Sequence, residues 1–436
     1  MAPSSGGSRR DPEMGRPPDP ALGRGLTERR IGRRRFLSLS GLAAGGLVSG
    51  ALAGCGASAP HRSSKPLPAL PHIDAAEFWQ NRGPTGTLDF ANWPLYIDTV
   101  PGHPNDHPTL DQFTKQTGVK VDYRQVIQDT DSFYAKIAPA LAVGAPIGYD
   151  LMVFTNDQTL ADLIRLNYLA PLDRAKLPTF YANADQAVLD PPYDPGNAHT
   201  VAWQSGITGI AYHPGRLGGD VSSFADLFNP AFTGHIGMFG DSRDLPNFTL
   251  VGMGIEPETS KPSDWHKAAA KLRKQRSDGL VRAYYQQDYI RALVKGDLWI
   301  SMAWSGDIYQ ANAQGAGLKF VVPSEGGLLW TDNLCIPVTA SHPVEAIAYM
   351  DFVYRTDVAA KLAESIHYIP PVPFSRGQVL ADAGRATGPD AETLRALADS
   401  PLTYPSQADL DRLSRYRVLA PDEVNEWNRI FQPVYT

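Results

Sequence analysis

Thr109-Leu110-Asp111-Gln112-Phe113-Thr114-Lys115-Gln116-Thr117-Gly118-Val119-Lys120-Val121-Asp122-Tyr123 carries a helix, a stop and a strand in one short run. Leu110 and Phe113 stand three apart, the spacing of a single helix face. Gly118 sits where a glycine takes the left-handed conformation that ends a helix. Val119 to Tyr123 then alternates with period two, as a strand does. Outward from this stretch, Leu88 to Ala91 reads as a strand, Phe133 to Ala142 as a helix and Tyr149 to Val153 as a buried strand. The order β-α-β-α-β implies an α/β fold with mostly parallel sheets and helices on both faces.

A second alternating set starts near Trp203. It takes in strands Ile207 to Tyr212 and Ile236 to Phe239, a helix from an N-capping Ser263 to about Gln275, and strand Leu298 to Ala303. Strand Leu328 to Pro337 and helices Val344 to Tyr354 and Val358 to Ser365 follow. This is too much chain for one ordinary core, so two lobes are expected.

The N-terminus reads as an address and not as fold. Arg33-Arg34-Arg35-Phe36-Leu37 resembles a twin-arginine export motif, and a weakly apolar stretch from Leu39 to Ala53 ends in Leu52-Ala53-Gly54-Cys55, a lipobox pattern with Cys55 as the lipidated residue. The run is short and glycine-rich for an uncleaved transmembrane anchor. Residues 1–54 are therefore expected to be a signal peptide, and residues 55–85, rich in Ser, Pro, Ala and His, a flexible lipid-anchored tether. No later segment is long and apolar enough to span a bilayer, so the remainder is expected to be soluble.

Residues 1–54 hold nine Arg and four acids of the chain's 40 Lys+Arg and 46 Asp+Glu, which leaves a net charge of −11 on the rest. That acidity argues against nucleic acid and favours cationic ligands. Two cysteines, Cys55 and Cys335, make no disulfide framework and no cysteine-based zinc site, and the ten histidines have no metal-ligand spacing. Phosphate-binding, dinucleotide-binding, zinc-protease and nucleophile-elbow motifs are absent. No cofactor and no metal are expected.

Candidate chemistry lies at strand ends, where open α/β sheets place ligands. In Gly326-Gly327-Leu328-Leu329-Trp330-Thr331-Asp332-Asn333, Trp330 and Asp332 are two apart and share a strand face. A π face beside an anion suits an organic cation. Taken alone, the pair reads more readily as a core tryptophan beside a solvated aspartate. The same chemistry recurs in Ala91-Asn92-Trp93-Pro94-Leu95-Tyr96, in Asp241-Ser242-Arg243-Asp244, and in Leu298 through Trp304 to Asp307. If a helix starts at Asp241, then Asp241 and Asp244 share its first turn; Asp241 also fits a plain N-cap.

Taken together, these blocks resemble the solute-binding components of ABC importers, and within them the spermidine/putrescine-binding proteins. The similarity runs from about Leu88 to about Ser375. It is carried by Phe90-Ala91-Asn92-Trp93, the stretch quoted first, Tyr149-Asp150-Leu151, Phe224 to Pro230, Ser324 to Asp332 and Ser365 to Pro370. The resemblance implies a two-lobe periplasmic-binding-protein-like fold of type II with the ligand cleft between lobes, here 86–204 plus 332–376 and 205–331 plus 377–436. It implies ligand contacts at Trp93, Tyr96, Thr155, Asp241, Asp244, Trp304, Trp330, Asp332 and Tyr368. Asp244 stands where the family usually has glutamate, Asp157 near an expected aromatic, and Phe224 in place of a common tryptophan.

The expected function is capture of polyamines and delivery to a membrane permease with a cytoplasmic ATPase, by a lipid-anchored, extracytoplasmic monomer that catalyses nothing. One alternative is a secreted glycosidase-like hydrolase using Asp241 or Asp244 with Asp332 as acid and base. Another is a receptor for a different small amine or an amino-acid-like ligand.

Overall fold

The computed structural model describes residues 67–100 and 102–436, so the export and lipidation motifs lie outside the described residues. Among the described residues ten strands join one mixed sheet: β1 (Thr87–Asn92), β2 (Lys120–Gln125), β3 (Leu151–Thr155), β4 (Thr200–Tyr212), β5 (Ile236–Phe239), β6 (Val281–Tyr285), β7 (Ile300–Trp304), β8 (Lys319–Val321), β9 (Gly327–Cys335) and β10 (Leu413–Ser414). Their order is β2-β1-β3-β9-β4-β7-β5-β6, with β10 added to β9 and β8 to β4. Each flank is parallel, β1 with β2 and β3 on one side, β5 with β6 and β7 on the other. The centre departs from the parallel expectation. There β9 runs antiparallel to β3 and β4, and β4 antiparallel to β7, because the chain leaves one flank along β4 and returns along β9.

The local signals act as read. Gly118 ends the helix Pro108–Thr117 at φ 77° with its N–H on the Thr114 carbonyl. Asp129 caps the helix Thr130–Leu141 by accepting from Ser132 N at 2.7 Å. β3 is buried at all five positions; each of its large apolar side chains contributes about 1.5–3 kcal/mol by leaving water. Cys335 is a free, buried core residue of β9. One start differs from expectation. Ser263 does not cap the helix Pro262–Ser277, since Pro262 occupies its first turn and Lys261 the cap position.

β4 is buried along all thirteen residues. Its register on β9 slips between Ala202 and Gln204, which leaves Trp203 as a bulge. The next pairs are Gln204 with Asp332 and Ser205 with Thr331. The lobe boundaries expected at 204/205 and 331/332 thus meet at one point of the ladder.

The tether expectation does not hold from Leu67 onward. Leu70 N donates to Leu166 O at 2.9 Å, and Tyr168 Oη donates to Pro68 O at 2.7 Å. The short helix Ala75–Trp79, capped by Asp74, buries Phe78 and Trp79. Two large aromatics there outweigh the local proline and serine content. Among the described residues no helix is long and apolar enough to cross a membrane.

Candidate functional site

The central strands and the strand ends on either side of them line a cavity open on one side, with about 500 Å³ of atom-free space that includes its mouth to solvent. Trp93 follows β1, Thr155 ends β3, Trp304 ends β7, and Trp330 and Asp332 stand on β9. Asp244 opens the helix Asp244–Val251 after β5. With Tyr96 and Tyr368, these are eight of the nine expected ligand contacts, and all eight line this one cavity. Arg243, Gln287, Asp307 and Tyr416 line it as well.

Asp241 does not. Its Oδ1 accepts the backbone N–H groups of Arg243 at 2.8 Å and Asp244 at 2.6 Å. The helix begins only at Asp244, so Asp241 is spent on capping the turn before it and does not share the first helical turn.

The walls are aromatic. Trp304 and Trp330 meet edge to face with centroids 6.4 Å apart, Trp330 and Tyr368 lie at 5.4 Å, and Tyr368 and Tyr96 cross at 5.4 Å. Three carboxylates stand among them, each held by hydroxyl donors. Thr155 Oγ1 donates to Asp332 Oδ1 at 2.6 Å. Tyr368 Oη and Tyr289 Oη donate to the two oxygens of Asp307, each at 2.9 Å. Tyr416 Oη donates to Asp244 Oδ1 at 2.9 Å, and Thr208 Oγ1 donates to the same oxygen while accepting from Trp330 Nε1 at 3.1 Å. The indole of Trp330 and the carboxylate of Asp244 are thereby fixed in one relay.

Burial sets the electrostatics. It pushes the Asp244 carboxyl up to about 7, helped by the charge of Asp241 and opposed by Arg243 and the two hydroxyls. It pushes Asp307 up to about 6 against the donors Tyr289 and Tyr368, and Asp332 up to about 6 against Thr155 and Tyr96. Three such groups are poised to hold cations, since an ammonium between them restores the ionised state that burial disfavours. Arg243, the cation of the wall, is tied to Asp157 Oδ2 at 2.9 Å. The hydrolase alternative loses Asp241, which faces its own backbone.

Asp307 and Tyr416 line the cavity although the sequence did not single them out as site residues. Asp307 lies three residues past Trp304, in the first turn of the helix Ser305–Ala313, and that spacing was a usable signal. Tyr416 follows the two-residue β10, and no pattern in the sequence marks it. Away from the cavity, Asp89, Asp150 and His342 bring ligand atoms within 4.8 Å of one another. Both Asp150 oxygens already accept the N–H groups of Asp89 and His342, and Asp89 holds Arg124, so the trio fastens strand ends together.

A family profile described as bacterial extracellular solute-binding protein matches residues 109–383. The spermidine/putrescine-binding periplasmic protein of Escherichia coli (strain K12) is 30% identical over 312 residues, covering 71% of this chain and 85% of that protein. The putrescine/agmatine-binding protein of Pseudomonas aeruginosa is 30% identical over 275 residues, 59% of this chain and 72% of its own length. The solved structure of the spermidine/putrescine ABC transporter substrate-binding protein PotD from Streptococcus pneumoniae superposes with a TM-score of 0.64 at 23% identity, covering 80% of this chain and 98% of that one. That likeness gives the fold, the two-lobe architecture of periplasmic binding proteins.

Proposed function

Since the chain belongs to the bacterial extracellular solute-binding protein family, we propose that it captures a polyamine of the spermidine/putrescine class and hands it to the permease of an ABC importer, which a cytoplasmic ATPase drives. The observation that carries this reading is the cavity itself: Asp244, Asp307 and Asp332 set among Trp93, Trp304, Trp330, Tyr96 and Tyr368. Carboxylates take the nitrogens and aromatic faces take the methylenes between them. Binding needs no bond made or broken. The lobes are 86–204 plus 332–376 and 205–331 plus 377–436, and they close by bending where β4 and β9 cross between them, beside the Trp203 bulge.

The names of the relatives, which include spermidine, putrescine and agmatine, support the ligand class. Family membership places the protein outside the cytoplasm. Export by the twin-arginine route and anchoring through a lipid on Cys55 complete the proposal, with the folded part acting as a monomer. Cys55→Ser should then move the protein from the membrane fraction to the soluble fraction.

Thermal melting with putrescine, spermidine, agmatine and a neutral diol of similar length tests the ligand class. A ligand at a hundred times its Kd adds about 2.7 kcal/mol to the native state. The amines should raise the Tm and the diol should not. An equal response to the diol, or none to any amine, would overturn the reading.

A further inference from the structure

Arg243 and Asp157 belong to opposite flanks of the sheet. Arg243 immediately precedes the helix that follows β5, and Asp157 lies two residues past the end of β3 and caps the helix Gln158–Arg165. Their side chains nevertheless meet. Arg243 Nη1 donates to Asp157 Oδ2 and to Thr130 Oγ1, both at 2.9 Å, with the two charged side chains only 16% and 2% exposed. The geometry points to a latch: Arg243 reaches from the β5 flank to grip the β3 flank and holds the two closed over the cavity by the protein's own groups, whether or not ligand is bound.

Both ends of the latch are rigid. Asp157 Oδ1 accepts from Thr159 N at 2.8 Å and Leu160 N at 3.3 Å, so its carboxylate is oriented by the helix it caps. Thr130 is the first residue of the helix Thr130–Leu141, which gives Arg243 a hold on two separate elements of the far flank. On its own side, Arg243 N is held by Asp241 Oδ1 at 2.8 Å, and its carbonyl accepts from Asn247 Nδ2 at 2.8 Å. Asp241 thus roots the latch. A pair this well buried and this well oriented is one whose loss acts on the lifetime of the closed state.

The latch also answers a problem of charge. Arg243 lines the cavity, and a free guanidinium there would repel a cationic ligand. Paired with Asp157, it leaves Asp244, Asp307 and Asp332 as the charges that a ligand meets.

Two variants break the latch with little other damage. Asp157→Asn keeps the helix cap, because Asn and Asp cap equally well. Thr130→Val removes the other acceptor and leaves Asp157 intact. The distance between nitroxide labels on unnatural residues at positions 115 and 270, one exposed site on each flank, reads closure in the full chain without ligand. Wild type should show a closed population that falls at least about threefold in either variant, in keeping with the loss of one buried charge-assisted contact. The second readout, putrescine dissociation, rests on the proposed function and should speed up about tenfold in Asp157→Asn. A ligand-free distance distribution that is wholly open in wild type, or unchanged in both variants, would overturn the latch. Should putrescine fail to bind wild type while the distances still shift, the ligand reading falls and the latch stands.

Discussion

Thr155 and Asp332 face each other across the β3–β9 ladder, and the threonine hydroxyl donates to the aspartate at 2.6 Å. The acid that sequence spacing singled out is therefore aimed by a residue on a different strand, 177 positions away. This contact occupies Oδ1.

Asp332→Asn should weaken amine binding by about 2–5 kcal/mol, the cost of leaving a buried ammonium without its carboxylate. The amide still accepts from Thr155, and it removes a charge that burial disfavours, so the melting temperature without ligand should hold or rise. Calorimetric titration with putrescine beside a thermal melt checks both halves; unchanged affinity would remove Asp332 from the site.

Acidification should release ligand. Asp332 and Asp307 are pushed up to about 6 and Asp244 to about 7, and a cation needs them ionised. Affinity should fall at least about tenfold from pH 8 to pH 5.5, and binding near pH 6.5 should expel protons into the buffer. The sign for folding is opposite. Each group binds its proton more tightly folded than unfolded, so its contribution to the stability of the unliganded protein grows as pH falls from about 7 toward 4 and is lost as pH rises through 6 to 7. Titrations in buffers of different ionisation heat would reveal the protons. Equal affinity at both pH values contradicts the scheme.

Gly206→Ala should disable the aromatic wall without touching any charge. A Cβ at Gly206 would lie closer than 3.0 Å to three carbons of the six-membered ring of Trp330, which faces it across the β4–β9 pair. The ring must shift, at an overpacking cost of about 1–3 kcal/mol in stability. The shift should strain the bond to Thr208 and lower amine affinity about tenfold, in line with displacement of an aromatic anchor. A variant that is destabilised yet binds normally would show that Trp330 is core packing alone.

Asp241→Asn and Asp244→Asn should behave differently, although the two acids look equivalent in the sequence. Asn caps the turn as well as Asp does, so Asp241→Asn should keep amine affinity within about threefold. Asp244→Asn removes a carboxylate from the cavity wall and should cost about 2 kcal/mol or more. Parallel titrations decide; a larger loss at Asp241 would reverse the assignment.

Much of this arrangement was legible in advance because its determinants are local. Leu110, Phe113 and Gly118 report a helix and its end within a few residues, and Trp330 and Asp332 share a face because a strand repeats every two. What stayed hidden depends on long-range placement. Tyr416 arrives at Asp244 from a segment with no periodicity, 172 residues further on. β4 carries buried Thr200, Gln204, Ser205 and Thr208 among its apolar residues, so its sequence does not alternate as a half-buried strand would. Asp241 and Asp244 do not share a helical turn, because a spacing of three presumes a helix already under way, whereas the chain first makes a turn that Asp241 caps.

The slip that leaves Trp203 out of register on β4 also bears on how the molecule comes apart. Two lobes joined by slack linkers would melt separately, each with its own transition. Here both flanks share β4 and β9, so pulling one loose would strip backbone hydrogen bonds from the other. The bulge softens that shared spine enough to bend and leaves it unsevered. Heating should therefore produce one calorimetric peak for residues 67–436, and a mechanical load applied across the flanks should be borne first at the spine.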